Sequence, residues 1–509
     1  MDEITSPGVP SATTSSAGQP SRQEHLEGHL GTGGLVFSAL AFNAPLGVMA
    51  ATVPIVIGLG VGAGTPLVYL AIMVLILVFA VALVTMARHM QKPGAFYTYV
   101  TAGLGRTVGL GGGFLAMVTY LGLGSSTYVI SGFTTESMIQ VLGGPRIPWW
   151  EIVLVQWVVI TFLGSRNVDV SMRVLGVALG VEVLIVAIWT VAVLANGGPQ
   201  GRSLHVTAQM STGSLGFALL WGMSCLGGFE SIQLFRDETR NPVKTIPRAT
   251  YLTVFFLAGF YCLGSYVYLV AFGTHEAMAT AADPTNSFMA SVGTYTGTFL
   301  KNLAYVLTWS SGVASLLAIH NITARYAFAF GRDGVFPRAL AQVHPRYKSP
   351  FTAALVIAVV TLLFAVGPAL LQMDAVASYT VEYGFANIAL AALFAGTALA
   401  TVVFFSRGRN RHLRISVWKR VVAPVAAFAG MLFVLYLAAV QRDTLFGSSG
   451  RGTAGIGILV LLALAGMLYA RWLKVNRPEV YERIGDQDEK GEVPPLVEAE
   501  TRAESGGCP

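Results

Sequence analysis

The stretch CLGGFESIQLFRDETRNP, Cys225–Pro242, decides how the rest of the chain is read. It closes an apolar run long enough to lie in lipid, yet Gly227, Gly228 and Glu230 stand inside that run before the charges begin at Arg236. In hydrocarbon, an unwound backbone is tolerated only where protein or a watery cavity satisfies its freed polar groups. A break of this kind in a membrane span therefore predicts a lined cavity.

Composition agrees with a lipid setting. Of 509 residues, 54% are hydrophobic and only 11% charged, against about 25% charged in soluble globular proteins. The 57 glycines suit membrane helices, where small residues let backbones approach closely. Cys225, Cys262 and Cys508 show no framework spacing, so neither disulfides nor a metal site are expected. The net charge of +6 calls for no nucleic-acid partner, because the basic residues cluster in short loops between apolar runs. No nucleophile–base pair or phosphate-cradling loop stands out, so no enzyme and no cofactor are expected.

About 20 apolar residues cross a bilayer core as helix. Such runs predict twelve spans, near 34–60, 66–88, 105–138, 149–165, 171–195, 213–235, 250–273, 296–330, 350–371, 377–405, 419–440 and 453–473. The third and eighth are long enough to tilt steeply or to extend into loops. With the N-terminus placed in the cytoplasm, 27 of the 32 Lys and Arg residues fall on the inner side. The positive-inside rule then predicts a multi-pass cell-membrane protein with both termini cytoplasmic. Residues 1–32 read as a disordered polar tail without signal-peptide layout, and 476–509 as an acidic tail that is solvated in one reading and a regulatory docking segment in the other.

Two spans carry matching irregularities. Span one holds FNAPLG, with Asn43, Pro45 and Gly47 close together; span six holds the Gly227-Gly228 pair. Pro lacks the N–H of the helical bond, and Gly pairs release the helix at low steric cost. Breaks at corresponding places in two halves are the pattern of an inverted-repeat transporter, with the site near the midplane.

The motifs then become specific. GFESIQLFRDETRNPVKTIPRAT (Gly228–Thr250), ARYAFAFGRDGVFPRALAQVHPRYKSP (Ala324–Pro350) and RHMQKPGAFYTYVTAGLG (Arg88–Gly105) resemble signatures of the amino acid–polyamine–organocation permease superfamily. The resemblance covers roughly residues 30 to 475. It implies an all-α membrane protein with a LeuT-like fold: five plus five inverted helices with helices 1 and 6 broken, then two more. The repeats would occupy about 33–195 and 213–405 of a 33–475 core, with the added helices at about 419–473. It also implies secondary-active transport of an amino acid or related amine by alternating access, often proton-coupled. Many amino acid permeases carry a Gly-Ser/Thr-Gly run at the first break, whose amides hold the substrate carboxylate. FNAPLG departs from that run, which keeps amine-only substrates and a polyamine permease or exchanger open.

The expected substrate-binding residues are Phe42, Asn43, Ala44, Pro45, Leu46 and Gly47 at the first break, and Gly227, Gly228, Phe229 and Glu230 at the second. Glu230 reads either as a ligand for a substrate ammonium or as a cap on the following half-helix. Aromatic faces can close over a cation, which adds Tyr120, Tyr128 and Trp309, with Trp221 read as packing. Glu182 stands about twelve residues into span five, near the midplane, where a carboxylate must face the bundle interior. It is a candidate for proton coupling or for a structural hydrogen bond. Ser311 and Ser315 in SSGVAS complete a sodium site with span-one carbonyls in one reading, and serve close packing in the other; His320 and Asn321 read as packing groups. Asp237, Glu238 and Arg240 are candidates for a salt-bridged cytoplasmic gate or for a plain solvated loop. The partners are thus a small-molecule substrate, a proton or sodium ion and the bilayer. A non-transporting nutrient sensor on the same fold is the rival of another class.

Overall fold

The fold comes from a computed structural model, which describes residues 30–90, 96–166, 172–201, 213–281, 283–347, 349–407, 410, 413 and 415–485. The side chains at 172–175, 234, 237, 238 and 285 are outside that description. Of the two tails, residues 1–29 and 486–509 also fall outside it.

The described residues are helical, with no β-strand beyond an isolated bridge between Leu30 and Thr239. In chain order the main helices are α1 (Thr32–Asn43), α2 (Thr65–Arg88), α3 (Phe96–Leu104), α4 (Arg106–Val141), α5 (Trp149–Ser165), α6 (Met172–Asn196) and α7 (Leu215–Cys225). There follow α8 (Pro242–Phe272), α9 (Pro284–Thr296), α10 (Thr298–Asp333), α11 (Phe351–Leu370), α12 (Ala375–Ser406), α13 (Ala423–Val440), α14 (Ser449–Asn476) and α15 (Pro478–Arg483).

Ten stretches among the described residues are long and apolar enough to cross a membrane, where the sequence predicts twelve spans. The difference has a local cause. One stretch, Thr32–Arg88, runs through both of the first two expected spans, and α5 is a shorter apolar helix. Within Thr32–Arg88 the helix is interrupted at Ala44 and again at Gly60–Gly62. Gly62 has φ 52° and ψ −120°, a conformation open mainly to glycine. There Ser214 N–H donates to Gly60 O, and Thr65 Oγ1 donates to Gly62 O, so the bend is tied to the start of α7 and α2.

Long side chains such as Phe255, Leu363 and Leu461 point outward. A soluble protein rarely exposes apolar area on that scale, so these faces meet lipid. The inner faces of α2, α4, α7, α8, α10 and α12 enclose one apolar core.

At the far end the structure departs from a wholly solvated tail. Pro478–Arg483 is helical, and Val480 and Ile484 are buried. Val480 packs on Gly334, and Tyr481 shares a hydrogen bond with Thr107. Two apolar residues in an otherwise charged segment are enough to dock it.

Candidate functional site

Helix α1 ends at Ala44, which is held at φ 52° and ψ 67°. Pro45 cannot donate a helical bond and starts the next turn, so the chain leaves α1 and re-enters helix within two residues. The Phe42 carbonyl, orphaned by this exit, accepts from Ser315 Oγ at 2.8 Å. The Asn43 amide reaches the other break: its Nδ2 donates to Cys225 O at 2.7 Å and Gly227 O at 3.0 Å, and its Oδ1 accepts from Tyr261 OH.

The second break lies between α7 and a 3₁₀ helix at Phe229–Glu238. Gly228 has φ +100°, and a Cβ there would sit 2.9 Å from both Ala39 O and Phe42 Cδ1. The two broken segments thus cross in contact. Glu230 Oε2 accepts from Gly228 N–H at 2.9 Å, and Ser231 Oγ donates to Gly228 O at 2.7 Å.

A cavity of about 100 Å³ opens beside the crossing. Phe42, Asn43, Ala44, Gly47, Gly227, Glu230 and Ser315 all line it. The other expected substrate-binding residues do not line it. Pro45, Leu46, Gly228 and Phe229 stand behind the lining, Phe229 against Phe79 and Phe394. Tyr120 packs on Tyr326, and Tyr128 belongs to a separate apolar cluster with Val153 and Leu316. Trp309, 40% exposed, lines a lateral apolar recess instead. Glu182 is buried and faces the Ser311 hydroxyl and the Leu46 backbone N–H.

Beyond the second break, Arg236 donates to Ala87 O (2.9 Å) and Met90 O (3.4 Å), joining the end of this span to that of α2. Arg240 makes no ion pair among the described residues, and its N–H donates to Leu30 O. The side chains of Asp237 and Glu238 lie outside the described residues.

Several lining residues are not singled out by sequence: Thr52, Thr127, Ser131, Thr134, Thr308, Tyr379 and Tyr383. Single hydroxyls in apolar helices are common, so only their convergence on one cavity marks them. Tyr379 shares a hydrogen bond with Thr52 at 3.0 Å and, with Tyr383, packs on Trp221. Glu382, between those tyrosines in sequence, lies against Ser125 with both carboxylate oxygens buried. A lone Glu in the apolar run VEYGFANIALAALF is the signal for it.

Residues 34–470 match the family model for amino acid permeases. The chain belongs to the amino acid permease family. It is thereby a member of the amino acid–polyamine–organocation superfamily and an integral membrane protein. This permease is 24% identical over 329 residues to the low-affinity putrescine importer PlaP of Escherichia coli, which covers 62% of this chain and 70% of that protein. It is 28% identical over 242 residues to the uncharacterized transporter Rv1999c of Mycobacterium tuberculosis, 46% of this chain and 51% of that one. It is 26% identical over 230 residues to the aromatic amino acid transport protein AroP of Escherichia coli, 43% of this chain and 49% of that one. The matched segments span about half the length of the last two relatives.

Proposed function

We propose that this permease is a secondary-active transporter of an amino acid or related amine, and that a positively charged amine is the group its cavity holds. The observation that carries the proposal is the Asn43 bridge, which joins two broken spans around a cavity whose described lining residues include Glu230 and no basic residue. A buried carboxylate, hydroxyls and tyrosine faces suit an ammonium group.

A substrate carboxylate has fewer free donors. Pro45 has no N–H, the Leu46 N–H faces Glu182, and the Gly228 N–H is held by Glu230. Each break thus meets a carboxylate of the protein itself. The likeness to a putrescine importer agrees with an amine, and that to an aromatic amino acid transporter keeps amino acids as the second reading.

Twelve crossings in a five-plus-five repeat follow if Thr32–Arg88 is two crossings and α5 one more. Two features support the repeat. Helices α4 and α10 are both 36 residues long, five expected spans apart. Each starts after a short helix and a glycine of nearly the same conformation, Gly105 (φ 93°, ψ 163°) and Gly297 (φ 90°, ψ 167°). Both termini are cytoplasmic on the 27-to-5 charge split.

Coupling is assigned to protons through Glu182, which touches the first break at Leu46 and α10 at Ser311. Sodium is the second reading, favoured by the meeting of Ser315 with the Phe42 carbonyl. The test is proteoliposome uptake across labelled putrescine and a panel of amino acids, with and without a proton gradient. Saturable amine uptake is expected; uptake confined to amino acids rejects the amine assignment, and no uptake of either rejects transport of this class.

A further inference from the structure

A second cavity, about 420 Å³, opens where α10, α14 and α15 end together. Arg338, Arg477 and Arg483 line it, with Glu479 as the one carboxylate among the described lining residues and Val335 and Phe336 among its apolar walls. None of the three guanidiniums forms an ion pair with a described carboxylate. Three like charges around one hollow repel one another, and an anion relieves that repulsion.

The level of the cavity along the bundle is indicated by Trp472, with the half-buried Tyr469 behind it. Trp472 on α14 is 47% exposed and stacks on Tyr469 at 5.8 Å. An exposed Trp side chain on a crossing helix settles at the headgroup level. Tyr469 OH donates to Val335 O at 2.9 Å, so the loop that carries Arg338 is anchored to that level. Arg477 follows Trp472 by just over one helical turn, and docking of Val480 on Gly334 holds Arg483 to the same hollow.

We propose that this cavity binds the phosphate of an anionic phospholipid from the inner leaflet, with its glycerol end against Val335 and Phe336. Guanidinium forks match phosphate oxygens bidentately, and basic pockets between spans on the cytoplasmic side are suited to anionic headgroups. A free phosphate ion shares the headgroup chemistry but has no use for the apolar wall.

The test uses the full chain purified in neutral detergent and reads lipid binding, so it stands apart from any transport assay. Short-chain phosphatidylglycerol, short-chain phosphatidylcholine and inorganic phosphate are titrated separately, with bound copies counted by native mass spectrometry and thermal stability followed in parallel. Wild type is expected to retain phosphatidylglycerol saturably and to be stabilised by it, with little response to phosphatidylcholine. The triple variant R338Q/R477Q/R483Q is expected to bind it at least about tenfold more weakly, because three charge-assisted contacts are removed. Glu479→Gln is expected to bind it more tightly than wild type, a change opposite in sign to that of a damaged fold. Equal retention by wild type and triple variant overturns the site, as does weaker retention in Glu479→Gln. Equal stabilisation by inorganic phosphate overturns the lipid as its occupant.

Discussion

The Asn43 side chain donates to Cys225 O at 2.7 Å and to Gly227 O at 3.0 Å, although the residues lie more than 180 positions apart. One amide from the first broken span thereby satisfies two carbonyls that the second break frees. Any motion that separates the two spans has to give up these bonds or carry both segments together.

Asn43→Ala leaves both carbonyls without that donor, at a cost of about 1–3 kcal/mol for a buried group left unsatisfied. The expected outcome is a lower unfolding midpoint in detergent and loss of most uptake. A variant as stable and as active as wild type contradicts the bridging role.

The two glycines of the second break should respond differently to alanine. Gly228 has φ +100° and no room for a Cβ beside Ala39 and Phe42, so Gly228→Ala carries strain of about 1–3 kcal/mol as well as a clash. Gly227 meets only Ser224 O of its own preceding turn, at 3.0 Å, and its φ is not in the left-handed region. Gly227→Ala should therefore fold and transport better than Gly228→Ala, as measured by monodisperse yield and initial rate. The reverse order would contradict the close crossing at Gly228.

Much of this site is legible in the sequence, for a physical reason. Breaks need Pro and Gly, and these residues announce themselves in apolar runs, so FNAPLG and CLGGFE mark the crossing directly. Glu182 and Glu230 stand out in the same way, because carboxylates in such runs are costly. What the sequence hides is direction. Trp309 and Tyr128 sit on the expected spans, but their helices turn them away from the cavity, and no periodicity within one helix reveals which face a neighbour covers. The hydroxyls of Thr127, Ser131 and Thr134 gain meaning only once α4 is laid beside the breaks. Docking of Val480 and Ile484 is hidden by the charges around them.

Glu230→Gln keeps an oxygen that can accept from Gly228 N–H while it removes the carboxylate from the cavity lining. A hydrogen bond to a charged group contributes about 1.5–3 kcal/mol. The KM for a cationic amine should therefore rise by roughly tenfold to a hundredfold, with kcat changed far less. An unchanged KM with a lowered kcat would show that Glu230 acts only as a cap.

Glu182→Gln should uncouple the cycle. Uptake driven by an acid-outside gradient is expected to fall to the level seen without a gradient, while exchange of labelled for unlabelled substrate continues. Ser315→Ala, which removes the bond to Phe42 O, should leave the gradient response in place. Full gradient-driven accumulation by Glu182→Gln contradicts proton coupling through this residue.

The site proposed for the transported amine is the crossing of the two breaks. Its most direct test is accumulation of a labelled aliphatic diamine by proteoliposomes under an acid-outside gradient, with Glu230→Gln measured beside wild type. Saturable accumulation by wild type and a sharply raised KM in the variant are expected. Saturable uptake of amino acids with no uptake or binding of any amine would contradict that site.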